Sequence, residues 1–340
     1  MFATMESVRV EELHLASDPQ SGLRAIIAIH NTNLGPALGG CRFLAYADEL
    51  SAARDAVRLA RGMSYKAALA GLALGGGKAV ILRPPQLTSR AALFEAFGRF
   101  VDKLGGRYIT AVDSGTTTAD MDCIAAQTRH VTSTSAGGDP SPHTALGVLA
   151  GIRASAEARL GSAELGGLHV AIQGLGHVGY ALAEHLAAAG AELLVSDIDE
   201  QRLQRAIEQL GAQPVSSDTL LTVPCDILAP CGLGGVINAQ TVGQLRCAAV
   251  AGAANNQLDS VEMGDALAAR GILYAPDYVI NSGGLIFVAL QHQGLSAAEI
   301  SAHLARIGAR LTEIYAEAQA EQRSPARVAD SLAERLIFGA

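Results

Sequence analysis

The chain has 340 residues, of which 49% are hydrophobic, 4% aromatic and 37 glycine, with no tryptophan. Its length exceeds what one core usually fills, so two domains are expected, and the apolar fraction excludes a disordered chain. A net charge of -8 argues against nucleic acid or a membrane surface as partner, since both call for clustered Lys and Arg.

The start, MFATMESVRVEELH, mixes acids into its first turns and lacks the apolar segment of a signal peptide, and no run approaches eighteen apolar residues. Cysteines at 41, 123, 225, 231 and 247 are scattered, with no C-x-x-C pair. They read as reduced thiols, so a soluble cytoplasmic protein with no metal site is expected.

Residues 23–30, LRAIIAIH, read as a buried strand that feeds a glycine-rich loop over 31–42, NTNLGPALGGCR. Such a loop either lets backbone approach a ligand or is a plain connection. From Asp48 to Gly62 the apolar residues recur at helical spacing, with Asp48 or Ser51 as N-cap and Gly62 as the stop. That helix delivers Lys66. Gly75-Gly76-Gly77 then precede Lys78 and a strand, AVIL, with the glycines forming a turn at its mouth.

Lys66 and Lys78 are two of only three lysines, against 22 arginines. A genome that replaces Lys by Arg wherever charge alone matters explains the scarcity. It also makes the survivors informative, because a buried lysine can be tuned toward neutrality and an arginine cannot. At least one of them is therefore expected to serve acid-base chemistry.

A helix over 89–104 and a strand over 108–112 follow, and the strand ends on Asp113-Ser114-Gly115-Thr116-Thr117. A carboxylate there is either a reacting group or part of a helix start at Thr117 or Thr118. Residues 133–142, STSAGGDPSP, read as a linker, with the domain boundary near 137. A helix over 145–160 leads into the second domain.

There, LHVAIQ (168–173) is a strand, Gly174-Leu175-Gly176-His177-Val178-Gly179 opens a helix, and ELLVS (192–196) is a second strand ending at Asp197. A G-x-G-x-x-G turn flanked in this way, with an acid 23 residues on, is specific for a dinucleotide. Gly174 permits the tight turn, Gly176 admits the pyrophosphate, and Gly179 lets the helix press on the sheet. Asp197 would accept from ribose hydroxyls and repel a 2′-phosphate, which favours NAD over NADP. Short strands over 226–229, 248–251 and 272–274 end in loops carrying Cys231 and Gly232, Asn255, and Asn281. Strand ends of an open parallel sheet line the ligand crevice, so these loops are expected near the nicotinamide. Residues 297–336 read as helical and structural.

These residues together resemble the Glu, Leu, Phe and Val amino-acid dehydrogenase superfamily, nearest its leucine dehydrogenase branch. The resemblance is carried by LGPALGGCR, ARGMSYKAALAGLALGGGKAVI, DSGTT, DPSPHTALGV, GLGHVG, APCGLGGVIN, AGAANNQL and APDYVINSGG, collinear over about residues 34 to 284. It implies an α/β fold of two domains separated by a cleft. Residues 1–136 would form an α/β substrate and oligomerisation domain, completed by helices over 310–340, and residues 137–309 a Rossmann NAD-binding domain. It also implies a homo-oligomer.

The resemblance makes Lys66 the partner of the substrate α-carboxylate, Lys78 the catalytic lysine and Asp113 the carboxylate that assists proton transfer. Oxidising a 2-amino acid needs hydride loss to NAD, attack of water on an iminium and collapse of a carbinolamine, so one positioned group must take and return protons. A lysine sharing its cleft with another cation is suited to this, which an arginine at 78 is not. Backbone at Gly39 or Gly40 and polar contact from Asn255 or Asn281 would position substrate and nicotinamide, with Thr144 near the nicotinamide. The asparagines have an alternative reading as turn formers.

In the glutamate branch a lysine and a serine hold the side-chain carboxylate; here those positions are Leu38 and Val288. Burying an unpaired carboxylate against them costs several kcal/mol. With Met63, Ala111 and Leu285 they imply an apolar pocket and a branched-chain substrate: leucine, with valine and isoleucine. An aromatic (Phe or Trp) dehydrogenase is the alternative, and a catalytically silent NAD-binding protein a further one. One methylene is worth only about 1–3 kcal/mol, so the preferred side chain stays open. His143, Ser114 and Phe287 depart from the family pattern, as does a shortened segment before DPSPHT.

Overall fold

A computed structural model describes residues 1–339, which divide into two compact units. Residues 1–138, 288–294 and 333–339 form the first, and residues 139–287 with 295–332 the second. The expectation that 310–340 completes the first domain differs from this partition. Most of α11 (Ala297–Glu321) packs along α5 (Ser141–Leu160) in the second unit, and only the end of α12 (Pro325–Phe338) belongs to the first.

The first unit holds α1 (Phe2–Ser7), β1 (Glu12–Asp18), β2 (Leu23–Asn31), β3 (Ala37–Leu44), α2 (Glu49–Leu69), β4 (Gly75–Leu82), α3 (Arg90–Asp102), β5 (Tyr108–Val112) and α4 (Thr118–Ala125). Its sheet runs β1-β2-β4-β3-β5, antiparallel at β1/β2 and β2/β4 and parallel among β4, β3 and β5. One face carries Ile27, Cys41, Phe43, Ile81 and Tyr108 into a core with Leu93, Phe97 and Ile124 of α3 and α4. On the other, Ile26, Ala28 and Val80 pack on Ala52, Ala56 and Ala60 of α2. Alanines there let the helix lie close to the strands.

Asp48 caps α2 by accepting the Ser51 N–H at 2.6 Å, a contact of the kind worth about 1 kcal/mol. The helix runs past the expected stop at Gly62 to Leu69, because its second half buries Tyr65, Ala67, Ala68 and Leu69 and that burial outweighs one glycine. Two further expectations change. The second half of the supposed glycine loop is β3, and Gly75–Gly77 are not a turn but the first residues of β4. Each glycine of the triplet is dictated by close approach: a Cβ at Gly75 would strike the Asn31 carbonyl, at Gly76 the Ser64 backbone, and at Gly77 the Tyr108 ring at 2.8 Å.

The second unit is a wholly parallel sheet in the order β11-β10-β9-β6-β7-β8, built from β6 (His169–Gln173), β7 (Glu192–Ser196), β8 (Gln213–Pro214), β9 (Ile227–Pro230), β10 (Ala249–Val250) and β11 (Leu273–Tyr274). Counted from β6 this is 3-2-1-4-5-6, the doubly wound Rossmann order, whose switch point lies between β6 and β9. Helices α5, α6 (His177–Ala188), α7 (Glu200–Leu210), α8 (Val261–Ala269), α9 (Asp277–Ile280) and the start of α10 (Gly283–His292) accompany it. Among the described residues no helix is long and apolar enough to cross a membrane.

Candidate functional site

Strand alternation decides which side chains of the first unit meet. In β3, Cys41 and Phe43 face the α3/α4 core, so Leu38, Gly40 and Arg42 face the α2 side. Parallel pairing sets Gly40 opposite Ala111 of β5, and Val80 of β4 opposite Arg42. Lys78 and Asp113 therefore share that face, one strand to either side of β3. Gly40 makes their meeting possible, since a Cβ there would stand 2.7 Å from Cβ of Asp113.

Nζ of Lys78 is ion-paired with Oδ2 of Asp113, and the two side chains are 8% and 17% exposed, so most of the pair is out of water. Oδ1 of Asp113 accepts the Ser114 N–H at 2.6 Å. Thr116 braces the turn: its Oγ1 accepts the Asp113 N–H at 2.8 Å and stands 3.0 Å from the Cys41 carbonyl, to which it can donate. Burial works to raise the Asp113 carboxyl, but the Lys78 charge and hydrogen bond, the Ser114 N–H and Arg42 outweigh it and hold the group below the usual carboxylate range. Asp113 does not cap α4, whose capping box is formed by Thr117 and Asp120.

Leu38 and Ala111 are both buried, on the Lys78 face. Met63 and Lys66 are half-buried on α2, the helix whose Ser64 backbone lies against Gly76. Val288 belongs to this unit too, its carbonyl accepting the Thr132 hydroxyl at 3.3 Å. Gly39 differs: it faces the α3/α4 core and its carbonyl accepts the Tyr108 hydroxyl at 2.6 Å. The sequence reading missed Arg42, whose Nε lies 3.8 Å from Oδ2 of Asp113, because only the β3/β5 register reveals it.

In the second unit the predicted dinucleotide residues converge at the switch point. Gly174 has φ +92°, and a Cβ there would meet the Gly232 nitrogen at 2.9 Å. A Cβ at Gly179 would strike the Gly174 carbonyl and stand 3.1 Å from Cβ of Cys231, so helix, turn and β9 loop touch through glycine. Gly176 is the N-cap of α6 with no side-chain cap and open space around it, while His177 is exposed and Val178 half-buried behind it. Oδ2 of Asp197 accepts the Leu175 N–H at 2.5 Å, which ties the acid to the turn. An open helix N-terminus beside a fixed carboxylate fits a dinucleotide. Burial pushes the Cys231 thiol up to about 12, so it is held neutral.

Asn281 is buried and donates to Oδ1 of Asn255 at 2.8 Å and to the Ala253 carbonyl at 3.0 Å. This fixes the amide oxygen of exposed Asn255. Thr144 Oγ1 donates to the Pro140 carbonyl at 3.2 Å, and a Cβ at Gly284 would crowd it at 2.7 Å, which locks α5 against the start of α10, where Leu285 is buried. Two departures from the family pattern turn out to be partners. The rings of His143 and Phe287 stack at 3.9 Å and 16°.

A switch-point glycine turn and a buried lysine–aspartate pair are what a dinucleotide-dependent oxidoreductase would need. Residues 8–130 match the model of the Glu/Leu/Phe/Val dehydrogenase dimerisation domain, and residues 194–334 that of Glutamate/Leucine/Phenylalanine/Valine dehydrogenase. Leucine dehydrogenase of Geobacillus stearothermophilus is 47% identical, covering 99% of this chain and 93% of that protein. Phenylalanine dehydrogenase of Bacillus thermotolerans is 44% identical, over 96% and 88%. The crystal structure of L-tryptophan dehydrogenase from Nostoc punctiforme superposes with TM-score 0.91 at 40% identity, covering 100% of this chain and 99% of that one. The chain belongs to the Glu/Leu/Phe/Val dehydrogenase family, whose members are NAD(P)-dependent, and is an amino-acid dehydrogenase.

Proposed function

We propose that this dehydrogenase uses NAD to deaminate branched-chain L-amino acids reversibly, leucine with valine and isoleucine, giving the 2-oxo acid and ammonia. The observation that carries the reading is the buried Lys78–Asp113 pair on a sheet face shared with apolar Leu38 and Ala111. Lys66 holds the α-carboxylate. Bound NAD supplies the acceptor for the hydride leaving Cα. Asp113 assists proton transfer at the amino group, and Lys78 takes a proton from the water that adds to the iminium and returns one to the nitrogen, so that the carbinolamine's hydroxyl oxygen becomes the keto oxygen and ammonia leaves. Gly40, Met63, Val288 and Leu285 shape the substrate's surroundings, and Asn255 presents donors to substrate or nicotinamide.

Leu38 supports the side-chain preference. It is 2% exposed, and a substrate carboxylate placed against it would be a buried unpaired charge, costing several kcal/mol. Asp197 supports NAD over NADP, because a 2′-phosphate would meet its carboxylate. The first unit is assigned to substrate and to subunit assembly in a homo-oligomer, on its match to a dimerisation-domain model. The second is assigned to NAD, and the scattered free cysteines support a cytoplasmic location.

The test is NADH or NADPH formation at alkaline pH with Leu, Val, Ile, Phe, Trp and Glu. Fast turnover of Leu with NAD is expected. Faster turnover of Phe or Trp would establish the aromatic alternative, which the Phe and Trp dehydrogenase relatives favour. Silence with all six would overturn the reading.

A further inference from the structure

We propose that Arg42 is a positioning residue for this reaction, whose permanent charge keeps Asp113 ionised and aimed at Lys78 while the lysine's proton is away on the substrate. This rests on the roles proposed above for Lys78 and Asp113.

The placement follows from register. Gly40 pairs with Ala111 and Cys41 with Val112, so one step further Arg42 stands opposite Asp113 on the same face. Its Nε is buried, makes no hydrogen bond, and lies 3.8 Å from Oδ2 of Asp113, the oxygen that pairs with Lys78. The guanidinium is held from behind. Nη1 donates to Oδ2 of Asp55 at 2.8 Å, that oxygen also accepts the Tyr46 hydroxyl at 2.7 Å, and Arg58 pairs with Oδ1 at 3.2 Å. A side chain anchored at its far end presents Nε to Asp113 in a fixed direction.

When Lys78 is neutral, Asp113 would otherwise be a mostly buried anion with the Ser114 N–H as its direct donor. An opposite charge within about 4–6 Å shifts a carboxylate by about 1–3 pH units, and arginine cannot lose its proton. The other groups around Asp113 do not replace it. Burial keeps the Cys41 thiol and the Tyr108 hydroxyl neutral by raising both. Asp120 of α4 is paired with Arg90, Asp55 and Arg58 of α2 lie on the far side of Arg42, and Lys66 of α2 is committed to the substrate carboxylate in the proposed reaction.

The experiment is the pH dependence of kcat/KM, with NAD and the best amino acid of the panel, for wild type, Arg42→Gln, Arg42→Met and Arg42→Lys. Removing a fixed positive charge raises the pKa of every acid nearby, so the neutral variants should move the acid limb up by about one unit or more, a loss of roughly tenfold on that limb that recovers at high pH. Their KM for NAD should not move, and Arg42→Lys should restore the wild-type limb. A uniform loss at every pH, or failure of both neutral variants to fold, would make Arg42 merely structural and overturn the proposal. Wild type inactive with every amino acid would instead overturn the proposed function.

Discussion

Gly40 and Asp113 are matched as hole and plug: the carboxylate side chain lies where any Cβ on residue 40 would have to go, at 2.7 Å from its own Cβ. Gly40→Ala should therefore push Asp113 aside and separate it from Lys78. A displacement of about 1 Å at reacting groups costs on the order of 100-fold. Steady-state kinetics should give a kcat reduced by about that factor, with KM for NAD unchanged.

Lys78→Arg keeps a positive charge beside Asp113 but removes the ability to release a proton. Turnover should fall below detection while the amino acid still binds, measured by calorimetry with the NAD-loaded protein. An active variant would refute the proton-transfer role.

His30 makes the stability of the first unit dependent on pH. Its Nε2 lies 3.0 Å from the Val8 carbonyl and Nδ1 2.8 Å from the Ser64 hydroxyl. The carbonyl can only accept, so Nε2 carries the proton and Nδ1 accepts, with the Asn31 amide at 2.6 Å and the Ser64 hydroxyl as its neighbouring donors. Burial is the main cause that pushes the ring down to about 4. Between that value and about 6.5 the unfolded chain binds a proton that the folded one refuses. The contribution is full above pH 6.5 and is lost progressively down to pH 4, amounting to about 3 kcal/mol. Urea unfolding at pH 7 and 4.5 should show this slope in wild type and a flatter one in His30→Gln.

Gly62 sits mid-helix in α2, exposed, with nothing within 4 Å of the place a Cβ would occupy. Gly62→Ala should stabilise by about 0.5–1 kcal/mol. Thermal unfolding should register the gain, with kcat unaltered.

The dinucleotide turn was legible in the sequence because its parts are contiguous: strand, glycines, helix and Asp197 follow one another within residues 168–197. Arg42 was not, because its meaning lies in a strand pairing made 71 residues away. The glycine triplet misled for another reason. A missing side chain signals either backbone freedom or steric exclusion, and only the Ser64 backbone and the Tyr108 ring around β4 distinguish them. Similarly, His143 and Phe287 stand out singly in sequence, while their stacking across 144 positions needs the fold.

At Gly76 and Gly77 the sheet is one backbone thick, with Ser64 of α2 pressed on one side and the Tyr108 ring on the other. Lys66 follows Ser64 by two residues, and Lys78 follows Gly76 by two. That contact acts as a gauge block: it clamps the spacing of the two lysine-bearing backbones.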